Sequence, residues 1–239
     1  MRVEGSAELP AADVVREPLP PALVFEARPQ IPFRLRDLSV FGPLDCHALA
    51  VTELSLLRWP DGPRLVLGRS RKAPPSAYVR ELLALDRPTA KEINVGDTLS
   101  LTVALETILG RRPVFPVAVG EALYPPRRSV LGFRPLNFAV PYSPASYTSQ
   151  PVPRARLRGL TIEPERGADA LDLHLLDVVL GKDSLFLTAD PVPVLSFGTF
   201  AGTFPLEGRM AREGERITFS LLNLATEPRR FRYAIELDP

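Results

Sequence analysis

Gly96-Asp97-Thr98-Leu99-Ser100-Leu101 reads as a turn that leads into a strand, and the chain repeats it as Gly214-Glu215-Arg216-Ile217-Thr218-Phe219, 214 − 96 = 118 residues later. Glycine admits the positive φ that tight turns use, and the acid beside it suits turn chemistry. The same offset carries Arg111-Arg112 onto Arg229-Arg230 and Phe115-Pro116-Val117 onto Tyr233-Ala234-Ile235. Upstream, Arg34-Leu35-Arg36-Asp37-Leu38-Ser39-Val40 falls on Arg156-Leu157-Arg158-Gly159-Leu160-Thr161-Ile162 at 156 − 34 = 122, and Asp61 falls on Asp183 at that offset. Leu65-Val66-Leu67 lies over Leu185-Phe186-Leu187 at a slightly smaller offset, as when a hairpin loop loses two residues. Blocks recurring in one order predict an internal duplication.

Alternation supplies the fold class. Leu99, Leu101, Val103 and Leu105 alternate with Thr98, Ser100, Thr102 and Ala104, so one face is apolar and the segment is a half-buried strand. Leu99, Leu101 and Val103 are expected to point inward, as are Ile217, Phe219 and Leu221 in the second copy. Pro60-Asp61-Gly62-Pro63 is a hairpin turn between two apolar runs, and Gly181-Lys182-Asp183-Ser184 is its counterpart. Ser76 can cap a short helix over Ala77 to Leu85, where Val79, Leu82 and Leu83 share a helical face. The expectation is an all-β chain of two tandem, internally duplicated β-sandwich repeats, over residues 33–123 and 154–239.

Two proline-rich stretches frame the first repeat. Residues 1–32 contain Pro10, Pro18, Pro20, Pro21, Pro29 and Pro32, which deny backbone donors and bias their predecessors toward extended geometry. Leu19, Leu23, Val24, Phe25 and Ile31 are interspersed, so the stretch reads as a disordered tail or as an extended arm lying on a neighbouring subunit or its own sandwich. Residues 124–153 hold seven prolines among Tyr124, Phe133, Phe138, Tyr142 and Tyr147. A flexible linker is poor in aromatics, so this connecting segment is expected to be ordered by packing. Phe25, Phe133, Phe138, Tyr142 and Tyr147 are the candidate interface residues, because aromatics are enriched at interface centres.

Composition excludes several functions. The 239 residues carry a net charge of +1, which gives no broad attraction to nucleic acid or anionic lipid. The lone cysteine, Cys46, rules out an internal disulfide framework and cysteine-based zinc sites, and reads as a small buried hydrophobe. Glu4 and Glu8 with no long apolar run are unlike a secretory signal, and no stretch approaches a membrane span. The expected place is a reducing compartment such as the cytoplasm.

Residues that carry chemistry are few. His47 and His174 occupy unmatched positions without metal-ligand spacing, and read as strand-surface or turn histidines. No phosphate loop, Gly-x-Ser-x-Gly elbow or Cys-His pair occurs. Asp97 and Glu215 sit at equivalent corners, which gives a glycosidase pair no common cleft. The doublets Arg111-Arg112, Arg127-Arg128 and Arg229-Arg230, and more loosely Arg69 and Arg71, read as solvated sheet ends with nearby glutamates, ahead of an anion-binding surface. No catalytic residue, metal ligand or cofactor is expected.

The Gly-Asp/Glu turns, the strands Leu99-Ser100-Leu101-Thr102 and Ile217-Thr218-Phe219-Ser220, and closing strands such as Phe231-Arg232-Tyr233-Ala234-Ile235 resemble the tandem jelly-roll coat proteins of icosahedral viruses. The likeness covers about Phe33 to Pro239, and the N-terminal arm and aromatic connection suit a shell protein. It implies jelly-roll-like repeats, a structural role in a capsid or virion, and partners that are copies of the chain or other assembly proteins. It leaves open a major, minor or cementing role. The alternative is a monomeric binding module for carbohydrate or a host surface, for which Trp59 beside Pro60-Asp61-Gly62 could be an exposed loop aromatic or a hairpin anchor.

Overall fold

The computed structural model describes residues 1–11, 20–42, 49–68, 79–83, 91–105, 115–124, 126–137, 144–165, 173–185, 190, 192–194, 202–206, 209–225 and 227–238. The chain divides into two compact units, a middle unit of residues 15–140 and a split unit of residues 1–14 with 141–239. The described elements are all strands, joined into antiparallel sheets, so the protein is all-β and sandwich-like. The first strand, β1 (Arg2–Leu9), belongs to the split unit.

The middle unit contains β2 (Ala22–Ala27), β3 (Phe33–Gly42), β4 (Leu49–Leu57), β5 (Arg64–Gly68), β6 (Val79–Leu83), β7 (Lys91–Ile93), β8 (Thr98–Leu105), β9 (Phe115–Leu123), β10 (Pro126–Gly132) and β11 (Arg134–Pro135). One sheet runs β10-β9-β3-β6 with β7 also on β3, and the other runs β11-β2-β8-β4-β5. Their inward residues meet in one core, where Phe33, Leu35, Leu38 and Val40 of β3 join Leu23 and Phe25 of β2 and Leu99, Leu101 and Val103 of β8. The expected inward face of β8 is therefore buried. Ile217, Phe219 and Leu221 are likewise fully buried in the split unit.

The split unit adds β12 (Ala145–Thr148), β13 (Ala155–Pro164), β14 (Leu173–Leu180), β15 (Asp183–Ser184), β16 (Val192–Pro193), β17 (Thr203–Pro205), β18 (Met210–Ala211), β19 (Ile217–Asn223) and β20 (Arg229–Asp238). Its sheets run β1-β20-β13-β17, with β18 also on β13, and β12-β19-β14-β15, with β16 also on β14. Aromatic rings join the two: Phe219 of β19 meets Tyr233 of β20 at a centroid distance of 4.9 Å, and Tyr147 of β12 meets Phe231 at 5.0 Å, both edge-on.

Most strands of the two units have counterparts in the same order, β10-β9-β3-β6 against β1-β20-β13-β17 and β2-β8-β4-β5 against β12-β19-β14-β15, while β11 and β16 have none among the described residues, and two register slips coincide. The β3·β9 register slips between Leu35 and Asp37, and the β13·β20 register between Leu157 and Gly159, an offset of 157 − 35 = 122. The β4·β8 ladder slips between Val51 and Glu53, and β14·β19 between Leu175 and Asp177, an offset of 175 − 51 = 124. A bulge inserts one residue and increases the local twist, so shared bulges mean shared bending of the sheets. One strand breaks the parallel in sequence: β10 follows β9 directly, whereas its counterpart beside β20 is β1, from the other end of the chain.

The structure departs from the sequence expectations at identifiable places. Val79–Leu83 is strand β6, paired with β3 from Leu38↔Leu83 to Gly42↔Val79, where a helix was expected. A helix this short is marginal in water, and the backbone partners offered by β3 outweigh the weak helical pattern. The stretch 1–32 is not one arm, since β1 joins the split unit and β2 the middle unit. The stretch 124–153 supplies β10 and β11 to one unit and β12 to the other. Asp61 sits within a hairpin turn, whereas Asp183 starts β15 opposite Leu180, because the second hairpin closes through Gly181 and Lys182 alone. The last strand is offset by 117, since Leu35↔Gly120 answers Leu157↔Leu237 and 237 − 120 = 117.

Candidate functional site

The repeated turn has the same construction in both units. Gly96 at φ 95° and Gly214 at φ 79° occupy the left-handed region that a type II turn requires of its third residue. The Asp97 N–H donates to the Asn94 carbonyl at 3.1 Å, and the Glu215 N–H to the Arg212 carbonyl at 3.1 Å. In return the Asn94 N–H donates to Asp97 Oδ2 at 2.9 Å and the Arg212 N–H to Glu215 Oε2 at 2.7 Å. Each acid thus caps its own turn.

Asp97 does more than Glu215. Its Oδ1 accepts the Trp59 N–H at 2.9 Å and its Oδ2 accepts Arg58 Nη1 at 2.6 Å, which ties the β4–β5 hairpin to the β7–β8 turn. Arg58 Nη1 also reaches the Glu92 carbonyl at 2.9 Å. Burial alone would raise the Asp97 pKa, but the Trp59 and Asn94 N–H groups and the Arg58 guanidinium together hold it below the ordinary carboxylate value. With its oxygens taken by donors, Asp97 is an ionised tether rather than an acid or base for chemistry. The tether leaves Trp59 72% exposed, with its ring over Gly96, where an added Cβ would stand 2.9 Å from Trp59 Cγ.

The second constructed place is the seat of β1 on the split unit. β1 pairs with β20 along its whole length, from Arg2↔Glu236 to Leu9↔Arg229. At one end the Met1 amino group donates to the Leu237 carbonyl and the Leu237 N–H donates to the Met1 carbonyl, both at 2.9 Å. At the other, the Tyr147 hydroxyl donates to the Glu8 carbonyl at 2.8 Å, and Asn223 Nδ2 reaches the Leu9 and Pro10 carbonyls at 3.3 and 3.2 Å. Burial, with the Glu8 carboxylate second, raises the Tyr147 phenol, which keeps its proton and remains a donor. Leu9 is fully buried, and on the outer face Arg230 Nε pairs with Glu8 at 3.0 Å.

Gly5 lies against the Tyr233 ring, which occupies the space of a side chain at that position. Gly5→Ala is expected to lower stability by about 1–3 kcal/mol in a denaturant titration, because Tyr233 is wedged against Phe219 and cannot retreat freely. The seated strand also completes a pocket of about 480 Å³ on the outer face of its sheet, where Arg2, Glu4 and Ser6 of β1 face Glu163 of β13 and Arg232 of β20.

Of the five aromatic interface candidates, Phe25 and Phe133 are fully buried in the core of the middle unit and present no surface to another chain. Both belong to that core cluster, so aromatic content there reflects core rather than interface. Phe138 and Tyr142 lie outside the described residues. Tyr147 is half-buried, and its hydroxyl donates to the Glu8 carbonyl of β1 in the same chain. Asn223 was not foreseen, although a polar residue inside the apolar run Leu221-Leu222-Asn223-Leu224 is the trace such a group leaves. His174 is fully buried on β14 rather than on a strand surface or turn, while Cys46 and His47 lie outside the described residues.

Among the described residues no cluster of three metal-ligating side chains occurs, and no helix is long and apolar enough to cross a membrane. Arg229-Arg230 opens β20, with Arg230 paired to Glu8, while Arg69, Arg71, Arg111 and Arg112 lie outside the described residues. The chain matches no family model, no curated protein and no solved structure.

Proposed function

We propose that the protein is a structural component of a large assembly, a virus or phage capsid or capsid-associated protein whose partners are copies of itself or other proteins of that assembly. The observation that carries this reading is a single chain with two sandwich units whose main strand pairs match and whose bulges in those pairs coincide. In each unit the long-range pairs are nested, β3·β9 around β4·β8 and β13·β20 around β14·β19. Double-sheet jelly rolls wind in this nested way, although here the intervening strands flank β3 and β4 instead of continuing the nest. Duplication by descent accounts economically for bulges at matched positions. Residence in a virion follows from the same proposal.

The test is the mass of the purified chain by light scattering as concentration rises, together with its recovery from particles of its source. Multimers, or incorporation into particles, support the reading. A strict monomer that is absent from every particle fraction overturns it.

A second reading, a monomeric module that binds carbohydrate or a host surface, is favoured by one observation. Trp59 is largely exposed on a turn whose backbone is fixed by buried Asp97, which is how an aromatic platform avoids an ordering cost on binding. As the single tryptophan of the chain, it reports its own occupancy by fluorescence. On this reading a glycan titration shifts Trp59 emission and Trp59→Ala weakens binding at least about tenfold. An unchanged emission across a glycan series removes the platform.

A further inference from the structure

We infer that the seat on the split unit accepts β1 from a second copy of this chain, so that N-terminal strands are exchanged between molecules. This deepens the assembly reading by naming one contact that builds the assembly.

Three features carry it. First, the seat is specific: both ends of β1 are fastened, by Leu237 at one and by Tyr147 and Asn223 at the other, and its middle is shaped by Gly5 beneath Tyr233. Second, the tie between β1 and its seat is indirect. In the middle unit the equivalent strand β10 follows β9 across Tyr124 and Pro125, whereas β1 reaches the rest of its unit only through the whole middle unit. Third, the described contacts that seat β1 join residues 1–10 to residues of the split unit, so a second copy reproduces them.

Exchange of an identical element is a low-cost route to oligomers, since the bonds gained equal the bonds lost. An empty seat would leave the outer backbone groups of β20 as an open sheet edge, a template for any strand of matching pattern. Pro10, Pro18, Pro20 and Pro21 stand between β1 and β2, so little chain entropy opposes an extended crossing. Concentration selects the outcome: the strand of the same molecule wins when dilute, and a neighbour's wins where copies are packed together. The pocket built by Arg2, Glu4 and Ser6 with Glu163 and Arg232 then combines residues of two molecules.

The register supplies the test. Met1 and Leu237 exchange both backbone bonds, so by alternation Glu4 and Ala234 form an unbonded pair, with Cα atoms about 4.5 Å apart as a disulfide permits. Two full-length chains, both with Cys46→Ser, carry Glu4→Cys and Ala234→Cys respectively, and one bears a size tag. They are mixed at roughly millimolar concentration, where a second copy rivals a tethered strand, and oxidised. A control replaces Ala234→Cys by Arg230→Cys, about 13 Å along the strand from the matching position.

The expected result is a mixed disulfide at least about tenfold more abundant than in the control, decreasing on dilution. Ser6→Cys with Arg232→Cys, the next unbonded pair, repeats the experiment where Ala234→Cys impairs folding. Absence of the mixed disulfide in both registers, or equal yield in the control, overturns strand exchange. Light scattering of the unmodified chain is read separately, so multimers without the mixed disulfide defeat the exchange and leave the assembly reading standing.

Discussion

Asp97→Ala is expected to destabilise the middle unit by about 2–4 kcal/mol, the cost of removing the buried partner of a part-buried, hydrogen-bonded ion pair. Its side chain is 3% exposed and the Arg58 side chain 31% exposed, so the guanidinium recovers only part of its hydration when the carboxylate is gone. The Trp59 and Asn94 N–H groups lose their acceptor in the same step. The folded pKa of Asp97 lies below the unfolded value, so its contribution is complete above the unfolded pKa, about 3.9, and is lost as pH falls through the folded pKa. The gap between native protein and Asp97→Ala is therefore full at neutral pH and narrows in strong acid. Denaturant titration read by Trp59 emission measures it, because that ring stands on the tethered turn. A difference below about 0.5 kcal/mol at neutral pH, the range of ordinary surface changes, would mean that the tether contributes nothing to stability.

The part of the fold that sequence made legible is the part written locally. Leu99, Leu101 and Val103 alternate with polar residues and are buried; Gly96 and Gly214 mark turns and have positive φ. The offsets of 122 and 118 followed matched ladders because strands keep their length while hairpins do not, as the short Gly181-Lys182 turn against the longer connection from Arg58 to Pro63 shows. What sequence hid is which strands are partners. Before Leu9, β1 carries only Val3, Gly5 and Ala7 on its inward face, and the Tyr233 ring fills the space above Gly5. A strand whose apolar bulk is supplied by its neighbour leaves almost no hydrophobic pattern of its own, and prolines after Leu9 made the stretch look like an arm.

The same locality explains the site residues. Aromatics mark core and interface alike, so Phe25 and Phe133 could be told from surface groups only by knowing which sandwich face each occupies. Tyr147 was separable from them by its hydroxyl, a polar tip that needs a partner when half-buried, and that partner is the Glu8 carbonyl, far away in sequence. Asp97 and Glu215 look interchangeable in the repeat. Their difference lies in Arg58 and Trp59, whose hairpin brings donors to Asp97, and no offset reveals that.

Phe219→Ala is expected to cost the split unit about 3–5 kcal/mol, and its effect should spread to the N-terminal strand. Phe219 is fully buried and its ring meets Tyr233 at 4.9 Å, Tyr147 at 5.9 Å and Phe231 at 6.4 Å, so truncation forfeits three ring contacts besides opening a cavity. Two of those rings position β1: Tyr233 covers Gly5, and Tyr147 donates to the Glu8 carbonyl. Once Phe219 is absent, both can relax into the cavity and loosen the seat from beneath. Amide exchange in β1 should then accelerate together with that in β19, while β3 and β8 of the middle unit keep their protection. Phe219→Leu leaves most of the volume in place and is expected to cost less, on the order of 1–2 kcal/mol, with β1 still protected. Were β1 exchange unchanged in Phe219→Ala despite the full loss of stability, the aromatic cluster would hold the sheets together without gripping the strand, and Tyr147 and Tyr233 would have to be held in place by their own strands alone.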